Sequence, residues 1–94
     1  MRALIWSPHF TRTLRRTIRQ NPQLHQLVGI TLRQLADDPF HPSLHSHKLK
    51  GSLAGAWACT VDYDNRILFE FVADPSSEEN AIHLLALGTH DEVY

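Results

Sequence analysis

The spacing of the hydrophobic residues changes along this chain, and that change constrains the fold more than any other feature. Between residues 10 and 35 the apolar residues recur every three or four positions, which is the period of an amphipathic helix. After residue 47 they alternate with polar residues or form short β-branched and aromatic runs, which is typical of strands. Helical segments followed by strand segments predict an α+β domain.

Two segments of helical period are separated by a proline. The first is predicted to begin at Ser7-Pro8, with Ser7 as its N-cap, and to end near Gln20. Asn21-Pro22 is predicted to cap the second helix, which Asp37-Asp38-Pro39 ends. Each helix has an apolar stripe along one side, so we expect a helical hairpin that covers an apolar surface.

Five segments have the character of strands. The first, Arg2–Ser7, has apolar residues on both faces, so we expect it to be well covered. The other four are His47–Gly51, Trp57–Tyr63, Arg66–Ala73 and Ala81–Leu87, the last ended by Gly88. The order β-α-α-β-β-β-β predicts one domain over residues 1–94. Its small, antiparallel-dominated sheet would carry the helical hairpin on one face. Thr89 is predicted to cap a last helical turn.

The composition excludes several classes of protein. Of the 94 residues, 43% are hydrophobic and 20% are charged, which is ordinary for a globular domain and unlike disordered or fibrous chains. The single cysteine, Cys59, cannot form an internal disulfide, and no apolar run is long enough to span a membrane. We therefore expect a cytoplasmic protein that does not associate with a membrane.

The charge is divided unequally along the chain. Residues 1–50 carry eight basic and two acidic side chains, a net +6, whereas residues 51–94 carry one basic and eight acidic side chains, a net −7. This asymmetry suggests a surface that faces a polyanion. A helix with a solvated arginine-rich face explains the same pattern equally well.

Seven histidines raise the question of a metal site. His41, His45 and His47 lie close together in a predicted loop, and His83 lies on a strand, but no Cys-x-x-Cys or His-Glu-x-x-His motif accompanies them. We expect no metal and no other cofactor. Cys59 alternates with Trp57 and Val61, so it is expected to face the core and not to act as a nucleophile.

A better candidate site combines polar residues at the ends of strands. The residues are His47, Lys48, Lys50, Asp64, Asn65, Arg66, His90 and Tyr94. Imidazole, carboxylate and guanidinium groups together supply the base, acid and charge stabiliser that cleavage of a phosphodiester requires. Each also has a purely structural interpretation: His90 as a helix cap, Asp64 as a turn former and Arg66 as a member of a surface ion pair.

Three motifs resemble the RelE/ParE superfamily of bacterial type II toxins. They are Leu49-Lys50-Gly51-Ser52-Leu53-Ala54-Gly55-Ala56-Trp57, Val61-Asp62-Tyr63-Asp64-Asn65-Arg66-Ile67-Leu68-Phe69 and Gly88-Thr89-His90-Asp91-Glu92-Val93-Tyr94. The order of elements also matches that fold, and the last motif resembles the YafQ-like branch most closely. The resemblance implies a metal-independent endoribonuclease, an mRNA interferase that cleaves messenger RNA on the ribosome by attack of the 2′-hydroxyl on the phosphate.

The same resemblance implies roles for individual residues. Asp64 or His47 would be the base, His90 the acid, Arg66 the charge stabiliser and Tyr94 a stacking or positioning group. Which histidine acts as acid and which as base stays open, because an imidazole near its ordinary pKa serves for either. Lys48, Lys50 and Asn65 are the expected substrate-binding residues.

The chain departs from the YafQ-like pattern at Thr60, Asn65 and Ala86. Two other functions therefore stay open: a ParE-like toxin that inhibits DNA gyrase, and an inactive protein that only binds its antitoxin. The resemblance also implies a cognate antitoxin with a disordered tail. Residues that could bind an acidic tail are the arginines of the first helix, Arg12, Arg15, Arg16 and Arg19.

Overall fold

The computed structural model describes residues 1–94, which form five strands and three helices. The strands are β1 (Leu4–Trp6), β2 (His47–Lys48), β3 (Trp57–Thr60), β4 (Asn65–Val72) and β5 (Ala81–Thr89). The helices are α1 (Pro8–Gln20), α2 (Leu24–Asp37) and α3 (His90–Val93), and two 3₁₀ turns lie at Pro42–Leu44 and Gly51–Leu53. None of the helices combines the length and apolar character that crossing a bilayer requires.

The strands form one mixed sheet in the order β1-β5-β4-β3-β2. β1 runs parallel to β5, and the other neighbours are antiparallel. The α+β prediction, with a sheet that is mainly antiparallel, is therefore confirmed. Ser7 also caps α1 as expected, since its side chain accepts a hydrogen bond from the Phe10 N–H.

α1 and α2 pack on a single face of the sheet. This face carries the large apolar side chains of β3, β4 and β5, and burying them is the main source of stability in a domain of this size. Its fully buried members include Phe10, Leu35, Cys59, Ile67, Phe69, Ile82, Leu84 and Leu87.

The opposite face of the sheet has no helical layer over most of its area. Its buried residues are few, namely Ala58, Leu68 and Ala86, with Leu49, Leu85 and Val93 packed around them. Two of these three positions carry small side chains, and the residues packed around them come from β5, from α3 and from the segment after β2. We call this surface the open face.

β5 contains an irregularity that is connected to α1. Leu68 pairs with Ala86 but Phe69 pairs with Leu84, so Leu85 is an extra residue in the ladder. Next to this bulge, the Leu87 N–H donates to Thr13 Oγ1 at 3.0 Å, and the Thr13 hydroxyl donates to the Phe10 carbonyl at 3.0 Å. This buried threonine therefore fixes α1 against the strand that leads to α3.

Three sequence-based predictions were wrong. β1 is not well covered: it lies at the edge of the sheet, and Ile5 and Trp6 are 45% and 47% exposed. Asn21-Pro22 does not cap α2, which begins after Gln23 without a side-chain cap. Gly88 does not end β5, because it still pairs with Arg66 and the strand continues to Thr89.

Three strands are also shorter than predicted, and the first of them, β1, spans only Leu4–Trp6. β2 ends at Lys48, since the backbone at Gly51 adopts a positive φ of 69° and enters a 3₁₀ turn. β3 ends at Thr60, because the next residues already belong to the turn into β4.

We predict that Thr13→Val destabilises the protein more than Thr17→Val does. The first substitution removes the hydroxyl that accepts from the buried Leu87 N–H, a loss that costs about 1–3 kcal/mol. Thr17 lies one turn further along α1, is buried to a similar extent, and has no such bond to the sheet. Urea unfolding of both variants measures the difference, and equal destabilisation would contradict the role given to Thr13.

Candidate active site

The turn between β3 and β4 is held by Asp62. Asp62 Oδ1 accepts hydrogen bonds from the Asp64 N–H at 3.0 Å, the Asn65 N–H at 2.8 Å and the Asn65 side-chain amide at 3.0 Å. A carboxylate that accepts from two successive backbone groups fixes a turn more strongly than a neutral acceptor does. The prediction that Asp64 forms the turn assigned the role to the wrong carboxylate.

Arg66 follows this turn and faces the open face. Its Nη1 donates to the carbonyl oxygens of Asp62 at 2.6 Å and Asn65 at 3.0 Å, and no carboxylate forms an ion pair with it. A guanidinium has five N–H groups, so the three on Nε and Nη2 are not used within the protein. The side chain is therefore oriented but its charge is available to an anion.

α3 is held at the other side of the same turn by a capping box. Thr89 Oγ1 accepts from the Glu92 N–H at 3.4 Å, and Glu92 Oε1 accepts from the Thr89 N–H at 2.9 Å. Arg16 of α1 lies 3.4 Å from Glu92 Oε2. The hydrogen bonds from Thr89, with the Arg16 charge as a smaller contribution, lower the pKa of Glu92.

Gly88 allows α3 to lie directly on β5. A Cβ atom at this position would be 3.1 Å from the Glu92 Cβ and 3.2 Å from the Val93 Cγ1, closer than side chains normally pack. Thr89 caps the helix as predicted, so the interpretation of His90 as the cap was wrong.

His90, Tyr94 and His47 form a connected set at the edge of the open face. The rings of His90 and Tyr94 meet edge to face, with centroids 4.3 Å apart, and the Tyr94 hydroxyl lies 3.4 Å from His47 Nε2. His47 Nδ1 lies 3.1 Å from the His45 carbonyl oxygen, which accepts and so assigns the proton of the neutral ring to Nδ1. Nε2 is then the acceptor for the Tyr94 hydroxyl.

Tyr94 is the donor in that contact at neutral pH. Burial raises the pKa of its hydroxyl, and the nearby Arg66 charge opposes this to a smaller extent. The phenol therefore keeps its proton and directs it towards His47.

A groove of about 370 Å³ joins these elements on the open face. Its lining residues are Tyr63, Asp64, Arg66, Thr89, His90 and Asp91. The Asp64 carboxylate makes no hydrogen bond within the protein, while Asp91 Oδ1 lies 3.6 Å from His90 Nδ1. An exposed carboxylate, an imidazole and an oriented guanidinium thus share one opening, which is what acid–base chemistry at a phosphate requires.

The structure divides the predicted site residues into two sets. Asp64, Arg66 and His90 line the groove, and Tyr94 connects His90 to His47, which lies outside the lining. Lys48 lies on the helix-bearing face, with its Nζ 5.6 Å from the centre of the Trp57 ring. Asn65 is 7% exposed and serves the Asp62 turn, and Lys50 is exposed beside the 3₁₀ turn.

Lys48 and Asn65, which the sequence predicts to bind substrate, do not line this groove. Lys48 pairs with Trp57 across the sheet, and Asn65 lies two residues before Ile67 on β4. Because side chains alternate between the two faces of a sheet, both Lys48 and Asn65 lie on the face that carries the helices. The interpretation of Arg66 as a surface ion-pair member was also wrong, since no carboxylate pairs with it.

Sequence reasoning missed two structural residues of the site. Asp62 could have been found from the pattern Asp62-Tyr63-Asp64-Asn65, in which a carboxylate precedes two backbone N–H groups that need acceptors. Glu92 could have been found from Thr89-x-x-Glu92, the spacing of a capping box. Burial raises the pKa of Cys59 to about 12, so its thiol stays protonated and the prediction of a core cysteine is confirmed.

The chain has the fold of the RelE/ParE-type bacterial toxins, and toxins named YafQ are among its structural neighbours. At the level of sequence it matches no protein-family model, and no curated protein is significantly similar to it. The solved structures that share the fold include three toxins.

They are a YoeB/ParE toxin from Agrobacterium tumefaciens, YafQ from E. coli strain BL21(DE3) and a metal-bound toxin from Helicobacter pylori. The first has a TM-score of 0.75 and 18% identity over 94% of this chain and 98% of that one. YafQ has a TM-score of 0.78 and 14% identity over 100% of this chain and 99% of that one. The Helicobacter toxin has a TM-score of 0.78 and 24% identity, and both chains are covered completely. E. coli YafQ has also been solved in a DinJ-YafQ toxin-antitoxin complex.

We predict that Asp62→Ala lowers both the stability of the protein and the order of Arg66. Three hydrogen bonds to one carboxylate oxygen are lost, at a cost of about 1–3 kcal/mol. Asp62→Asn keeps an oxygen acceptor and should be closer to the parent. Thermal unfolding, with side-chain NMR of the Arg66 Nε–H, measures both effects. Equal stability of the alanine variant and the parent would contradict this account of the turn.

Proposed function

We propose that the protein is the toxin of a type II toxin-antitoxin system and acts as an endoribonuclease on messenger RNA. The observation that carries the proposal is that Asp64, Arg66 and His90 line one open groove although they are distant in sequence. The fold shared with the YoeB and YafQ toxins supports the same function.

In the proposed reaction the RNA supplies its own nucleophile. A base removes the proton of a 2′-hydroxyl, the 2′-oxygen attacks the adjacent phosphorus, and the bond to the 5′-oxygen of the next nucleotide breaks. The products are a 2′,3′-cyclic phosphate and a 5′-hydroxyl, which receives its proton from an acid. The free N–H groups of Arg66 stabilise the charge that grows on the phosphate oxygens.

The geometry favours one assignment of the two proton-transfer roles. Asp64 is the base in this proposal, because its carboxylate lines the groove without an internal partner. His90 is the acid, at the other side of the same opening. His47 lies outside the lining and its Nε2 faces the Tyr94 hydroxyl, so His47 and Tyr94 position the His90 ring.

The ribosome is the proposed site of action. The groove is open and contains one permanent cation, so it offers few charge contacts to hold a free RNA strand. A ribosome in the cytoplasm would hold the messenger RNA in an extended form and would position it against the groove. Lys48, Lys50 and the unpaired arginines of α1 (Arg12, Arg15 and Arg19) remain available for contacts with ribosomal RNA outside the groove.

We predict that His90→Ala abolishes the growth arrest caused by expression of the protein, while His25→Ala leaves it unchanged. His25 is an exposed histidine on α2 that lies in a different surface region, so it controls for loss of an imidazole alone. Loss of the general acid typically lowers the rate about 10²- to 10⁴-fold. Growth curves after induction, with immunoblots for equal expression, provide the measurement.

Primer extension on RNA from the same cultures separates the candidate functions. New 5′ ends that are absent with His90→Ala support cleavage of messenger RNA. Intact messenger RNA together with inhibited DNA gyrase would contradict the nuclease function and favour the ParE-like function. Normal growth at high expression without an antitoxin would indicate an inactive protein.

The proposed partner is an antitoxin whose acidic tail binds the outer face of α1. Arg12, Arg15 and Arg19 are exposed and have no acidic partner, whereas Arg16 pairs with Glu92. The complex of DinJ with YafQ is a precedent for an antitoxin on a toxin of this fold. Charge complementarity would raise the rate of association and make it depend on salt.

We predict that Arg15→Glu combined with Arg19→Glu slows antitoxin association about tenfold at low salt and reduces its salt dependence. Arg16 is left in place, because changing it would also disturb α3. Arg33→Glu, an exposed arginine on α2, is the matched control. Surface plasmon resonance at several ionic strengths measures the rates, and unchanged association of the double variant would remove α1 from the interface.

A further inference from the structure

Tyr63 is the most exposed large side chain that has no assigned role. It is 92% exposed, although it lies between two residues of an ordered turn. A single exposed apolar residue needs no explanation by itself. This ring, however, lines the same groove as Arg66 and His90.

The turn holds the backbone of Tyr63 in a fixed conformation. Asp62 precedes Tyr63, and its carboxylate accepts hydrogen bonds from the backbone N–H groups of Asp64 and Asn65, the two residues after Tyr63. The Val61 N–H also donates to the Asn65 carbonyl at 3.0 Å, which closes the turn around Tyr63. An aromatic ring on a constrained backbone loses little entropy when a planar ligand stacks on it.

The charges of the groove indicate what kind of ligand contact is missing. Arg66 is the only permanent cation among the lining residues, and Asp64 and Asp91 carry opposing charge. Phosphate contacts alone would therefore bind a nucleic acid weakly here. Stacking of a base on an aromatic side chain does not depend on the net charge of the groove.

We propose that Tyr63 forms a nucleobase subsite, on which the base of a nucleotide next to the scissile phosphate stacks. The inference rests on the proposed function, since it takes single-stranded RNA as the substrate, and it adds how that RNA is held. A stacked purine has a larger surface than a pyrimidine, so Tyr63 would also contribute to the choice of cleavage sequence.

Binding of an RNA that cannot be cleaved tests the subsite separately from the nuclease activity. The probe is a six-nucleotide 2′-O-methyl RNA with a fluorescent label, which lacks the attacking hydroxyl. The parent is compared with Tyr63→Phe, which keeps the ring, and with Tyr63→Leu, which keeps an apolar side chain without it. Phe40→Leu is the matched control, because Phe40 is 56% exposed and contacts Trp57 and Phe71 on the helix-bearing side.

We expect Tyr63→Leu to weaken binding about tenfold and Tyr63→Phe and Phe40→Leu to leave it unchanged. Removing single bases from the probe extends the test. One abasic position should weaken binding to the parent about tenfold but have no effect on Tyr63→Leu, because the stacking partner is already absent.

Two outcomes would overturn the subsite: equal binding by the parent and Tyr63→Leu, or no binding of the probe by the parent at millimolar concentration. Cleavage of unmodified RNA is measured in parallel on ribosomes. Equal cleavage by the parent and by Tyr63→Leu would contradict the subsite but support the proposed nuclease activity. The expected binding pattern without any cleavage would remove the nuclease and leave the subsite.

Discussion

The packing of both long helices on a single face of the sheet is the constraint on which the rest of the structure depends. It concentrates the large apolar side chains, from Phe10 to Leu87, in one layer. The other face keeps only Ala58, Leu68 and Ala86 at its centre. A domain of 94 residues has enough apolar surface for one such core. The second face therefore remains open, and the groove lies on it.

Hydrogen bonds from the backbone to side-chain acceptors hold the two segments that carry the polar residues of this open face. Asp62 fixes the turn that leads to Arg66, and Thr89 with Glu92 fixes the start of α3, which carries His90. Both sets of hydrogen bonds join residues that are close in sequence. The Asp62 turn therefore positions Arg66 at the start of β4, and the capping box positions His90 at the end of β5. Because β4 and β5 are neighbours, the two strand ends bring the guanidinium and the imidazole to one opening.

The fold could be predicted from the sequence because the spacing of hydrophobic residues reports helices and strands locally. Which residues form the site depended on strand register and on the exact position of a turn, which that spacing does not show. Alternation identified β3, a run of β-branched and aromatic residues identified β4, and the helical period identified α1 and α2. The spacing of hydrophobic residues could not show that β1 is an edge strand, because that position depends on the order of the strands in the sheet. The sequence could not show that Lys48 and Asn65 lie outside the groove, because the face of each follows from strand register. It placed the turn on Asp64 and not on Asp62, because the turn could not be positioned to one residue.

The close contact at Gly88 has a mechanical consequence. Elsewhere in the protein a helix and the sheet are separated by a layer of side chains, which can adjust their rotamers when either element shifts. Between β5 and α3 the strand contributes no side chain at Gly88, so the side chains of Glu92 and Val93 fill the space that a Cβ there would need. A change in the twist of the sheet is therefore absorbed by side chains of one element only, and the terminal helix, with its imidazole and phenol, follows β5 more closely than α1 and α2 follow the sheet.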